Sequence, residues 1–199
     1  HACMHAAHAH HTSGLWMSNS RSSPLRIGKF YLKMRFVEYT DHTFTTRKPR
    51  QSEDEHLGIL GPTIRAEVGD TIQVTFQNHA PDGFVFSMHP HGVKYAKQHE
   101  GAYYADGTDM VGDHVMPGDC AYYNWEVPES SGPAAGDSST KAWLYHGHVS
   151  ETGDTNAGLI GAIIIGRAGA TRAADRKPTD VDREFGERRA LFSTLHTSA

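Results

Sequence analysis

The chain has 199 residues, with 20 glycines, 9 prolines and a net charge of −4 when histidine is neutral. That length suits one domain plus tails, and the turn-forming content points to a mostly β fold. The lack of a basic block argues against a nucleic-acid partner, and no apolar run reaches the roughly 18 residues of a membrane span.

Two cysteines, Cys3 and Cys120, are too few for a disulfide framework. They could pair with each other, and the sequence does not decide it. The chain begins at His1 without Met, so a missing signal peptide says little about compartment. His1, His5, His8, His10 and His11 crowd a leader rich in Ala and Ser. It reads either as a flexible leader or as a loose copper- or zinc-scavenging tail.

In the Phe30 to Tyr39 stretch, Phe30, Leu32, Met34 and Phe36 alternate with Tyr31, Lys33 and Arg35, which predicts a half-buried strand. A long polar connection follows, and LGILGP at Leu57 to Pro62 reads as a turn leading into a short strand. After the turn at Val68-Gly69-Asp70, Ile72, Val74 and Phe76 alternate with polar residues in a second strand. Phe84 to His89 is a third, with Phe84, Phe86 and Met88 toward the core and Ser87 and His89 facing away. Gly92 to Pro117 has no long periodicity and reads as functional loop. Ala121, Tyr123, Trp125 and Val127 alternate as another strand, Lys141 to His146 forms the next, and the apolar run Leu159 to Ile165 suits a central strand. No helical periodicity stands out. Strands at this spacing predict a β-sandwich or barrel.

Two of these strands end in a His-x-His pair, FVFSMHPHG at Phe84 to Gly92 and WLYHGH at Trp143 to His148. Residues two apart on a strand share a face, so His89 sides with His91 and His146 with His148. Brought together they make four converging imidazoles, a ligand type favoured by copper, zinc and iron.

The residues also resemble a known family. EYTDHTF at Glu38 to Phe44, HLGILGP at His56 to Pro62, HPHG at His89 to Gly92, EGAYYADG at Glu100 to Gly107, YHGH at Tyr145 to His148 and GLIG at Gly158 to Gly161 occur in the order found in the multicopper oxidases. They are similar to the first cupredoxin domain of the ceruloplasmin-like branch. The resemblance implies an all-β Greek-key β-sandwich, with 1–23 as a His-rich flexible leader, 24–168 as the cupredoxin domain and 169–199 as a linker or the start of a truncated second domain. It further implies that His89 binds a type 2 copper and that His91, His146 and His148 bind a type 3 pair. These would be half the ligands of a trinuclear cluster that reduces dioxygen while oxidising a metal ion, as a ferroxidase does, or a phenol. Asp106, in the Ala-Asp-Gly match, resembles the family's proton-handling carboxylate; it reads equally as a turn residue before Gly107. Lys97 through its carbonyl, Asp109 and Asp113 fall in a loop that can hold calcium in this branch; a solvated acidic loop is the other reading.

The match has a gap. The type 1 copper of the family takes its Cys from between two histidines, whereas Cys120 lies between Asp119 and Ala121 and Cys3 lies in the leader. Cys120 therefore reads as a strand-edge residue, not a ligand. Alone, the chain is not expected to sustain turnover. It needs another cupredoxin domain or chain to complete the cluster, which implies an oligomer or a larger assembly. A non-catalytic copper- or zinc-binding module is the competing expectation. An extracellular or periplasmic location follows from the resemblance alone.

Overall fold

The computed structural model describes residues 7–10 and 33–184. Phe30, Leu32, Cys3, the leader residues other than 7–10 and everything beyond Glu184 lie outside the described residues. So does the part of the expected linker beyond Glu184; within 169–184, Arg176 pairs with Glu67 and Asp70, and Glu184 with Arg65.

Among the described residues, eight strands run Ala7–His10 (β1), Lys33–Phe36 (β2), Ile64–Glu67 (β3), Thr71–Gln77 (β4), His89–Pro90 (β5), Cys120–Glu126 (β6), Thr140–His146 (β7) and Ile160–Gly166 (β8). β1 pairs antiparallel with β2. β4 pairs antiparallel with β6, and a four-stranded sheet runs β3-β8-β7-β5. In that sheet β3 and β8 are parallel and the other pairs antiparallel. β8 is the central strand its apolar run predicts.

Period-two alternation builds the core. In β4, Ile72, Val74 and Phe76 are buried, and their partners in β6 are Trp125, Tyr123 and Ala121. Ile64, Ala66, Tyr145, Ile163 and Ile165 face them from the four-stranded sheet, joined by Met34 and Phe36 of β2. The two sheets thus form a β-sandwich around one apolar layer. Tyr145 is fully buried and donates its hydroxyl to the Pro62 carbonyl at 2.7 Å, as a buried phenol must find a partner.

Three expectations change. Phe84 is 38% exposed and stacks on Phe86, so only Phe86 and Met88 of that stretch reach the core. The stretch itself forms a bridge from Phe86 to Val115 and the two-residue β5, not a long strand. Glu151–Ala157 is a short α-helix (α1) where the polar sequence shows no apolar stripe. No helix among the described residues is long and apolar enough to cross a membrane.

Candidate metal centre

Strand register brings the two His-x-His pairs together. β5 and β7 are antiparallel with His89 opposite His146, and the His91 N–H donates to the Leu144 carbonyl at 2.8 Å. Beyond the last paired residues the His148 N–H donates to the Ser87 side-chain hydroxyl at 3.2 Å, which ties the second His-x-His pair to the segment leading into β5. Side chains opposite one another in a ladder share a face. All four imidazoles therefore stand on the side of the sheet away from the core. Ring centroids lie 5.1 Å apart for His89–His91, 5.5 Å for His89–His146, 4.8 Å for His89–His148 and 5.1 Å for His91–His146.

Two glycines make this approach possible. Gly92 has φ +74°, and a Cβ there would lie inside the Trp143 indole of the neighbouring strand. At Gly147, between the two histidines, a Cβ would meet the Asp154 side chain at 2.8 Å.

Backbone carbonyls set the tautomers. His89 Nδ1 lies 2.8 Å from the Glu100 carbonyl and His146 Nδ1 lies 2.8 Å from the Gly147 carbonyl. A carbonyl only accepts, so each Nδ1 carries the proton and each Nε2 keeps its lone pair for a metal. Burial lowers the pKa of His89 to about 4, opposed by the Glu100 bond and reinforced by the neighbouring imidazoles His148, His91 and His146. His146 is lowered as well, burial again being the largest cause. Both are neutral at pH 7, the form that ligates.

His91 Nε2 and His146 Nε2 are 2.9 Å apart; with the His146 proton on Nδ1, the His91 Nε2–H donates across this gap, and a metal ion held by the two rings would displace that proton. Among the described residues, His89, His91 and His146 offer ligand atoms that all lie within 4.8 Å of one another. His148 stands beside this trio, its ring 5.6 Å from His146 and its Nε2 3.9 Å from Glu151 Oε2. The donor set is all imidazole, which fits copper or zinc.

Asp106 stands apart. It is exposed, and its Oδ1 accepts from the Thr108 N–H at 2.9 Å and the Thr108 hydroxyl at 2.6 Å, closing a turn. Those bonds hold its carboxylate pKa below the usual value. Cys120 is an exposed free thiol at the start of β6, its pKa raised by burial first and then by Asp119. In the loop after His91, Asp113 is fully buried, and its Oδ1 has no hydrogen-bond partner. Asp109 instead faces His114, Oδ1 to Nδ1, at 3.1 Å.

A family model described as Multicopper oxidase matches residues 37–169. The chain belongs to the multicopper oxidase family. Among its relatives are hephaestin from Homo sapiens, 47% identical over 165 residues; the ferroxidase HEPHL1 from Homo sapiens, 46% identical over 160; and ceruloplasmin from Rattus norvegicus, 44% identical over 172. These alignments cover 83%, 80% and 85% of this chain but 14%, 14% and 16% of the relatives, so the chain spans about one-sixth or less of their length. A solved multi-copper oxidase from Pseudomonas thermotolerans aligns with 78% of this chain and 27% of its own, at TM-score 0.46 and 17% identity. As a multicopper oxidase domain of the ceruloplasmin-like branch, this chain has the cupredoxin fold, and the family implies copper for the histidine group.

Several contributors to the site carry no mark in the sequence. The Glu100 and Gly147 carbonyls orient rings through backbone, which any residue supplies. Ser87 was visible only as an outward-facing neighbour of His89. The glycine inside His-Gly-His was the one local signal, since a side chain there would collide with α1.

Proposed function

We propose that this chain supplies half the histidines of a trinuclear copper cluster, with another cupredoxin domain or chain supplying the rest. His89 would hold the type 2 copper, and His91, His146 and His148 the type 3 pair. When bound, the copper supplies one-electron steps to dioxygen. The reducing substrate would be a metal ion, as the name of the ferroxidase relative suggests, or a phenol.

The observation that carries this proposal is the sheet face on which the histidines stand. Register puts Leu144, Ala142, Ile160, Ala162 and Ile164 on it, flanking His146. Leu144 is 38% exposed and His91 is exposed. An apolar strand face ordinarily lies under another layer, and here it would lie under the partner domain that completes the ligand set.

The residues of this chain would bind, orient and keep neutral the imidazoles. Asp106, held ionised by Thr108, is the carboxylate proposed to handle protons. Asp113, with its buried oxygen, supports a calcium ion held with the Lys97 carbonyl and Asp109. An extracellular or periplasmic location is proposed with the same family reading. A second reading has one observation in its favour: the His89, His91 and His146 trio would suit a single copper or zinc ion without turnover.

Elemental analysis of the purified chain beside its solution mass separates the two. Two to three coppers per assembly of chains or domains, with oxygen uptake on adding ferrous ion, supports the oxidase half-site. One ion per monomer with no oxygen uptake supports the binding module.

A further inference from the structure

We propose that Lys97 is a positioning residue for the histidine site, acting through the Glu100 carbonyl. This rests on the assignment of the four histidines as metal ligands.

His89 presents Nε2 because its Nδ1–H is held by the Glu100 carbonyl at 2.8 Å. That carbonyl belongs to a short segment pressed against the strand that carries His89. Gly101, at φ +68°, approaches the Met88 carbonyl so closely that a Cβ would overlap it. Trp125 Nε1 donates to the His99 carbonyl at 2.8 Å and fixes the other end.

Between them, the Lys97 ammonium gathers the segment. It donates to the Ala102 carbonyl, lies 3.3 Å from Glu100 Oε2 and 3.4 Å from Asp113 Oδ2, and sits 4.3 Å over the Tyr104 ring. Tyr104 in turn donates its hydroxyl to Glu100 Oε1 at 2.7 Å. One cation thus ties the side chain of Glu100 and the backbone two residues on to a carboxylate in the protein interior.

Asp113 explains why the cation matters. It is fully buried, its Oδ2 accepts from the Met110 N–H at 3.2 Å, and its Oδ1 has no hydrogen-bond partner. A buried carboxylate is costly without a compensating charge. Lys97 is the cation that meets it at Oδ2. With that charge gone, Asp113 and Glu100 repel, the segment moves, and the carbonyl leaves the His89 N–H. A hard divalent cation at Asp113 would replace the ammonium. Occupancy of this pocket and copper affinity at His89 are then coupled, and by the same factor in both directions.

The test titrates Cu(II) against a competing chelator into the purified full chain, with an electron paramagnetic resonance spectrum at one equivalent. Wild type, Lys97→Met, Lys97→Arg, Tyr104→Phe and His91→Ala are compared, with and without calcium chloride. Loss of an outer-shell partner typically weakens a metal site by about 10- to 100-fold, and roughly tenfold is expected for Lys97→Met, with a changed copper hyperfine splitting. Lys97→Arg recovers most of the affinity. Calcium restores Lys97→Met and does nothing for His91→Ala. Should Lys97→Met fail to fold, Tyr104→Phe tests the same link at an exposed residue, with a smaller shift in the same direction. Wild-type affinity and spectrum in Lys97→Met, or in its absence Tyr104→Phe, overturn the coupling alone. Equal copper binding by wild type and His91→Ala overturns the histidine assignment, and the coupling with it.

Discussion

Gly92→Ala concentrates the packing of the histidine strands into one methyl group. Gly92 sits at φ +74°, where a non-glycine residue costs roughly 1–2 kcal/mol. Its missing Cβ would overlap the Trp143 indole at Cδ2, Cε2 and Cγ, so the ring must move. That ring donates Nε1 to the Ser131 carbonyl at 2.8 Å, and losing the bond costs about 0.5–1.5 kcal/mol more. The expected destabilisation is about 1.5–3.5 kcal/mol. The displacement also lands between the two strands that set His91 against His146 and their 2.9 Å Nε2 contact. Copper affinity should therefore fall together with stability, by tenfold or more. Urea unfolding followed by tryptophan fluorescence gives the first quantity, and chelator competition gives the second. A variant within about 0.5 kcal/mol of wild type would refute the reasoning, because neither the dihedral nor the collision leaves room for that result.

Other outcomes follow from the same contacts. Tyr145→Phe leaves the Pro62 carbonyl without its 2.7 Å donor and should cost about 1–3 kcal/mol in urea unfolding while copper content stays unchanged. Ser87→Ala removes the acceptor of the His148 N–H at 3.2 Å; a loss of about 1 kcal/mol with weaker copper binding is expected, and unaltered binding would show that His148 needs no such anchor. The pH dependence has a definite sign. His89 stays neutral in the fold down to about pH 4, whereas an unfolded imidazole takes its proton near 6.5. The metal-free chain should then lose stability as pH falls from about 6.5 to 4 and gain nothing from this group above that window. His89→Gln should flatten the slope of thermal midpoint against pH across that window, and an unchanged slope would contradict the buried neutral assignment.

Much of the fold was legible wherever one face of a strand is buried. Ile72, Val74 and Phe76 alternate because β4 has a core side and a solvent side, and Ala121, Tyr123 and Trp125 answer them from β6. Leu159 to Ile165 does not alternate, because its outward face carries apolar residues too. Phe84 misled because alternation counts residues and cannot tell where a strand begins; this stretch enters the core only at Phe86. α1 was invisible because Glu151–Ala157 is held by its termini and by Asp154, whose carboxylate accepts from the Ser150 N–H at 3.1 Å, not by an apolar stripe. At the site, spacing was enough to pair His89 with His91 and His146 with His148. Their meeting depends on a cross-strand register that no local pattern encodes. The groups that orient the rings are carbonyls, and carbonyls have no signature in a sequence.

The most direct measurement is the copper content of the purified chain for wild type and His91→Ala, by elemental analysis after copper loading and desalting. His91 is exposed, so the variant should keep the wild-type circular dichroism spectrum and thermal midpoint. Wild type retaining copper while folded His91→Ala loses it is the predicted result. Full copper retention in folded His91→Ala would contradict the assignment of these histidines as the metal centre.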